Sequence, residues 1–82
     1  MREGRMNDAE RVQKDLALFA ESMADLNSVT LTAAEAAVVA HARRYYEDTK
    51  YYGEKGDLFT AFGCINYAHG LLDALRNMRG LL

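Results

Sequence analysis

The chain has 82 residues, half of them hydrophobic, with no proline, no tryptophan and one cysteine. That length gives a single domain with a thin core, and the apolar content excludes a disordered chain. The net charge of −2, from 10 basic against 12 acidic side chains, lacks the clustered excess of Lys and Arg that nucleic-acid binding needs, so no nucleic-acid partner is expected.

Residues 1–7 read as a flexible segment with no apolar run and so no secretory signal. A first helix is predicted from about Asp8 to Leu26. Val12, Leu16, Phe19, Met23 and Leu26 step by 4, 3, 4 and 3, a single apolar seam. Asn7 followed three residues later by Glu10 has the form of a capping box. Asn27 and Ser28, which compete with helical hydrogen bonds, and the β-branched Val29 and Thr30 then break the pattern.

Thr32 and Glu35 form a second capping box, opening a helix from about Ala33 to Lys55. Val38, Ala42, Tyr45, Thr49 and Tyr52 make its seam. A second stripe (Ala36, Val39, Arg43, Tyr46) would let it touch two neighbours. Gly56 suits the left-handed residue after a helix end, and Asp57 suits the next N-cap.

A third helix is predicted from about Leu58 to Arg79. One seam runs through Leu58, Ala61, Ile65, Ala68, Leu72 and Leu75, another through Cys64, Tyr67, Leu71, Ala74 and Met78; Phe59 and Phe62 add bulk. Only four charges follow Gly56: Asp57, Asp73, Arg76 and Arg79. A helix apolar nearly all round should be buried. Its longest weakly polar run is too short to span a bilayer, so no membrane insertion is expected.

Short connections make sequential helices antiparallel neighbours. The predicted fold is all-α, an up-down-up three-helix bundle. Two helices cannot wrap a third, so one apolar face is left over, and such faces mark interfaces. The expectation is a homodimer with the third helix near the two-fold axis, through Phe62, Tyr67, Leu71 and Met78. An unidentified protein partner would then use the polar face of the second helix, with Arg43, Arg44, Glu47, Lys50 and Tyr51.

No catalytic triad, paired-acid site or nucleotide loop is visible, and no enzyme activity is expected. His41 and His69 are the only histidines, and their spacing matches no metal motif. No cofactor or metal is expected. The lone cysteine, Cys64, favours a reducing, cytoplasmic setting and reads as a small buried hydrophobe. An alternative function is a small-ligand or metal-binding domain using Tyr45, Tyr52, Tyr67, His69 and Asp73. Its basis is that His69, Asp73 and Arg76 share one helix face, while tyrosines combine an apolar ring with a polar tip.

Two resemblances add to this reading. Tyr45 to Ala68 resembles one tetratricopeptide hairpin, with Tyr45 and Tyr52 at its aromatic positions, Gly56-Asp57 at its turn, and Ala61 and Ala68 at its small positions. It departs at Thr49 and Asp73, and no second copy follows. The stretch from Ala33 to Leu75 is similar to short archaeal proteins of domain-of-unknown-function family 357. The similarity rests on Ala42-Arg43-Arg44-Tyr45-Tyr46-Glu47-Asp48, on Tyr52 with Lys55-Gly56-Asp57, and on Tyr67-Ala68-His69-Gly70-Leu71-Leu72-Asp73-Ala74. It implies a small helical bundle, an acid characteristic at Asp73, and no particular activity; the first helix adds little to it.

Overall fold

The computed structural model describes residues 6–81. Of the segment expected to be flexible, residues 1–5 lie outside the described residues, and Asn7 is the N-cap of the first helix. Three helices follow: α1 (Asp8–Ala24), α2 (Ala33–Glu54) and α3 (Leu58–Met78). Val12 of α1 lies against Gly53 near the end of α2, while Ser22 and Asp25, at the other end of α1, meet Arg76 near the end of α3. The topology is therefore the up-down-up bundle that the short connections predict.

Local chemistry fixes the helix ends. In α1, Glu10 N donates to Asn7 Oδ1 at 2.8 Å and Asn7 N to Glu10 Oε1 at 3.0 Å. In α2, Glu35 N donates to Thr32 Oγ1 at 3.1 Å and Thr32 N to Glu35 Oε1 at 2.8 Å. Each box satisfies two amides that the first turn leaves free. Asp57 caps α3 by accepting from Thr60 N at 3.2 Å and Thr60 Oγ1 at 2.7 Å. α2 ends in a Schellman turn: Gly56 stands at φ +80°, Asp57 N reaches Tyr52 O, and Gly56 N reaches Gly53 O. α3 repeats the device with Gly80 at φ +73°, which sequence reasoning had not singled out.

α1 stops two residues earlier than its apolar seam suggests. Leu26 lies in the turn that follows, where Leu26 N→Met23 O and Asn27 N→Ala24 O bonds tighten the chain. That turn still directs Leu26 into the core, where it is buried.

The core is built from Val12, Leu16 and Phe19 of α1, Val39, Ala42 and Thr49 of α2, and Ala61, Ile65, Ala68, Leu72 and Leu75 of α3, together with Leu26. Thr49 is fully buried, and its hydroxyl is satisfied by donating to Tyr45 O at 2.8 Å. Ala42, Ala61 and Ala68 are fully buried as well; side chains this small let α2 and α3 approach closely. α1 packs mainly on α3 and only lightly on α2.

Two expectations need correction. The buried line of α2 runs between the two predicted stripes: Val39, Ala42 and Thr49 are buried, Val38, Tyr45, Tyr46 and Tyr52 are half-buried, and Ala36 and Arg43 are exposed. α3 is not buried all round. Its first seam is covered from Ala61 to Leu75, but Tyr67, Ala74 and Met78 of the second are exposed. One stripe of α3 serves both neighbouring helices, so the opposite side needs no cover from this chain.

Candidate functional site

The outer face of α3 is the candidate site. Leu58, the first residue of the helix, turns into the bundle and is half-buried; Phe59, about 100° further round, is thereby directed away from it. Phe59 is 91% exposed, Met78 80% and Tyr67 49%. Between them lie Gly63, Gly70 and Ala74, all exposed. From Leu58 to Leu72 the helix bears no Asp, Glu, Lys or Arg. Exposed large apolar side chains are ordinary when scattered singly; several on one uncharged helix face form a patch.

Where the C-terminal half of α3 meets the start of α2, the patch deepens into a shallow groove of about 270 Å³, lined by Val38, Leu71, Ala74, Leu75 and Met78. Glu35 borders it. Arg79 Nε donates to Glu35 Oε2 at 3.0 Å and Nη2 to Oε1 at 2.6 Å, with a further bond to Thr30 O at 2.9 Å. This two-pronged pairing, with help from the Thr32 backbone amide, holds the Glu35 carboxyl well below the usual range, at about 2. The same contact pushes Arg79 upward.

Of the four residues expected at an interface, Tyr67 and Met78 are exposed, whereas Phe62 and Leu71 are half-buried against the core. Phe59, the most exposed large hydrophobic side chain among the described residues, was not among the four. The signal for it was available: Leu58 opens the inward seam, so its neighbour must face out.

The five residues considered for a ligand site do not form one group. Tyr45 and Tyr67 meet with centroids 4.6 Å apart and planes at 63°. His41 joins them edge-on, 5.3 Å from Tyr45 and 5.9 Å from Tyr67. Sequence reasoning missed His41 as a member, although it stands four residues before Tyr45 and so on the same face. Tyr52, two turns further along α2, packs instead against Tyr51.

His69 lies on the opposite flank of α3, toward α1. Its ring sits edge-on to Phe19 at 5.7 Å, and Nε2 is 3.0 Å from Asp15 O. A carbonyl only accepts, so Nε2 carries the proton. Asp73 pairs with Arg76 at 3.3 Å rather than with His69. Arg76 also reaches Ser22 Oγ at 3.2 Å and Asp25 at 2.8 Å, clasping the end of α1 to α3.

Cys64 is half-buried, and burial, followed by the charges of Asp48 and Asp57, pushes its thiol upward, away from the reactive thiolate. Among the described residues no three His, Cys, Asp or Glu side chains come together as a metal site. Among the same residues no helix is long and apolar enough to cross a membrane.

The family described as "Protein of unknown function (DUF357)" matches residues 8–81, and the chain belongs to that family. The match includes α1 as well as the α2–α3 hairpin, so it extends beyond the Ala33–Leu75 stretch on which the resemblance was read. No curated protein matches the chain.

Proposed function

We propose that this member of the DUF357 family is a helical protein-interaction module that pairs with a second copy of itself through the outer face of α3. One observation carries the reading: Phe59 and Tyr67 stand exposed on the part of α3 that bears no charge from Leu58 to Leu72, and Met78 is exposed further along the same helix. Leaving such a face in water costs about 25 cal/mol for each Å² of apolar surface, and covering it recovers that energy. The polar face of α2, with Arg43, Arg44, Glu47, Lys50 and Tyr51 exposed, would then remain free for a different protein. A single unpaired, half-buried cysteine suits a cytoplasmic setting.

The alternative, a small-ligand or metal-binding domain, has less support. Tyr45 and Tyr67 pack directly on each other, Tyr52 lies elsewhere on α2, and His69 and Asp73 are engaged with α1 and Arg76. A pocket would need these side chains to converge on one space.

Sedimentation equilibrium over a concentration series tests the proposal. The wild-type chain should give twice 9.2 kDa at micromolar concentration. Phe59→Glu should shift the mass toward the monomer with unchanged helical content, because Phe59 makes little contact within its own chain. A wild-type mass of 9.2 kDa throughout, or a Phe59→Glu variant that dimerises as well as wild type, would refute it.

A further inference from the structure

α1 packs only lightly on α2, and the seam between them stays open. Three hollows follow one another along it. The first, about 300 Å³, lies between Ala9 and Gly53. The second, about 470 Å³, lies between Ala17 and Lys50. The third, about 330 Å³, lies between Met23 and Arg43. The first two share Val12, Gln13 and Gly53, and the last two share Ala20 and Tyr46, so together they form one groove. From Ala9 to Met23 it runs about 21 Å, at 1.5 Å per helical residue. Its floor closes on the core, with Val12, Leu16, Phe19 and Thr49 buried and Tyr46 half-buried.

The α2 wall of this groove is charged. It carries, in order, Arg43, Glu47, Lys50 and Glu54. Lys50 pairs with Glu47 at 3.5 Å and lies over the Tyr46 ring at 4.4 Å, so the two middle charges answer each other. Arg43 and Glu54 are exposed and make no ion pair among the described residues. The groove thus has an unanswered cation toward one end and an unanswered anion toward the other. They stand eleven residues apart, three turns of one helix and so on one face.

We propose that the groove receives one amphipathic α-helix of a different protein, running parallel to α2, with a carboxylate beside Arg43 and a cation eleven residues later beside Glu54. This rests on the reading that a second protein binds along α2; pairing through α3 uses another helix. The length suits a helix of about 15 residues. Its apolar side chains, at helical spacings of 3 and 4, would lie along Ala9, Ala17, Ala20, Met23 and the Tyr46 ring. Charge sets the direction. Helices ordinarily carry acids in the first turn and bases in the last, where these complement the dipole. Such a helix meets opposite charge at both ends only when it starts at Arg43 and finishes at Glu54. Exposed pairs of this kind add little affinity but discriminate between directions. The same pattern argues against a second copy as the occupant: no acid of α1, α2 or α3 is followed eleven residues later by a base.

The probe is a synthetic peptide of about 15 residues, with leucines at alternating spacings of 3 and 4, Glu in its first turn and Lys eleven residues later. Binding is read by fluorescence anisotropy at low salt, where exposed charges are least screened. The Phe59→Glu variant should bind it as wild type does, which separates this site from self-association. Ala20→Tyr fills the exposed middle of the groove; it should raise the dissociation constant at least tenfold with helical content unchanged. Arg43→Glu combined with Glu54→Arg should weaken binding at least fivefold, and a peptide with its Glu and Lys exchanged should restore it. No binding by wild type up to millimolar peptide, equal affinity for Ala20→Tyr, or no recovery with the exchanged peptide overturns the proposal. So does a loss of wild-type self-association on Ala20→Tyr, which would put a second copy in the groove.

Discussion

Replacing Phe19 by alanine should come close to unfolding this domain. The ring is 1% exposed, stacks on Tyr46 with centroids 4.8 Å apart, and receives the edge of His69 at 5.7 Å. It therefore joins α1 to both other helices. Truncating a buried phenylalanine costs about 3–5 kcal/mol, and the two ring contacts place this one in the upper half of that range. A chain of this length has about 4–12 kcal/mol of stability in total. The melting temperature should fall by roughly 16–40 °C, at about 4–8 °C per kcal/mol for a domain of this size. Urea and thermal unfolding followed by circular dichroism, at one fixed protein concentration so that association contributes equally, would measure it. Leu18→Ala is the control, since Leu18 is 41% exposed and should lose no more than about 0.5 kcal/mol. A Phe19→Ala loss under about 1.5 kcal/mol, or one matched by Leu18→Ala, would show that Phe19 is not what fastens α1.

Arg76→Lys should cost about 1–2 kcal/mol in urea unfolding, because one ammonium cannot reach Ser22, Asp25 and Asp73 as the guanidinium fork does; equal stability would refute the clasp. Gly56→Val should cost about 1–2 kcal/mol, the penalty of a left-handed φ for a side-chain-bearing residue, and an unchanged midpoint would mean the turn relaxes freely. The Glu35 carboxyl titrates at about 2 in the folded chain against 4.5 ordinarily. Its contribution to stability is thus complete above pH 4.5 and is lost as pH falls from 4.5 to about 2. Glu35→Gln should lower stability at neutral pH and flatten the acid limb across that window; parallel wild-type and variant curves would argue against the Arg79 pairing.

The helices and their ends were legible because their causes are local. Asn7 with Glu10, Thr32 with Glu35, and Gly56 followed by Asp57 each act within one turn, and each forms as read. The first seam of α3 was equally plain, but the second, through Cys64, Tyr67, Leu71, Ala74 and Met78, has the same spacing and is left largely uncovered. The buried line of α2 was not plain: two stripes competed, and the choice between Val39 and Val38 is made by tertiary packing, chiefly against α3. Tertiary placement also decided the candidate site. His69 and Asp73 share a face of α3 as their spacing says, yet Asp15 O and Arg76 claim them separately. Tyr45 and Tyr67, far apart in sequence, gain His41 as a third member only when α2 and α3 close together. Phe59 was visible as bulk, and its place one residue after Leu58, the start of the inward seam, already directs it outward.

The way α1 is attached divides the molecule into tiers of different permanence. α2 and α3 are joined by a tight turn and packed along fully buried alanines, whereas α1, anchored by Val12, Leu16, the Phe19 ring and the Arg76 clasp, shares less contact with the rest of the bundle. Segments with fewer anchoring contacts open at lower free energy than the rest. Amide protons of α1 should therefore exchange with solvent sooner than those at the centres of α2 and α3. The hairpin would then persist as the last remnant of order when the domain comes apart.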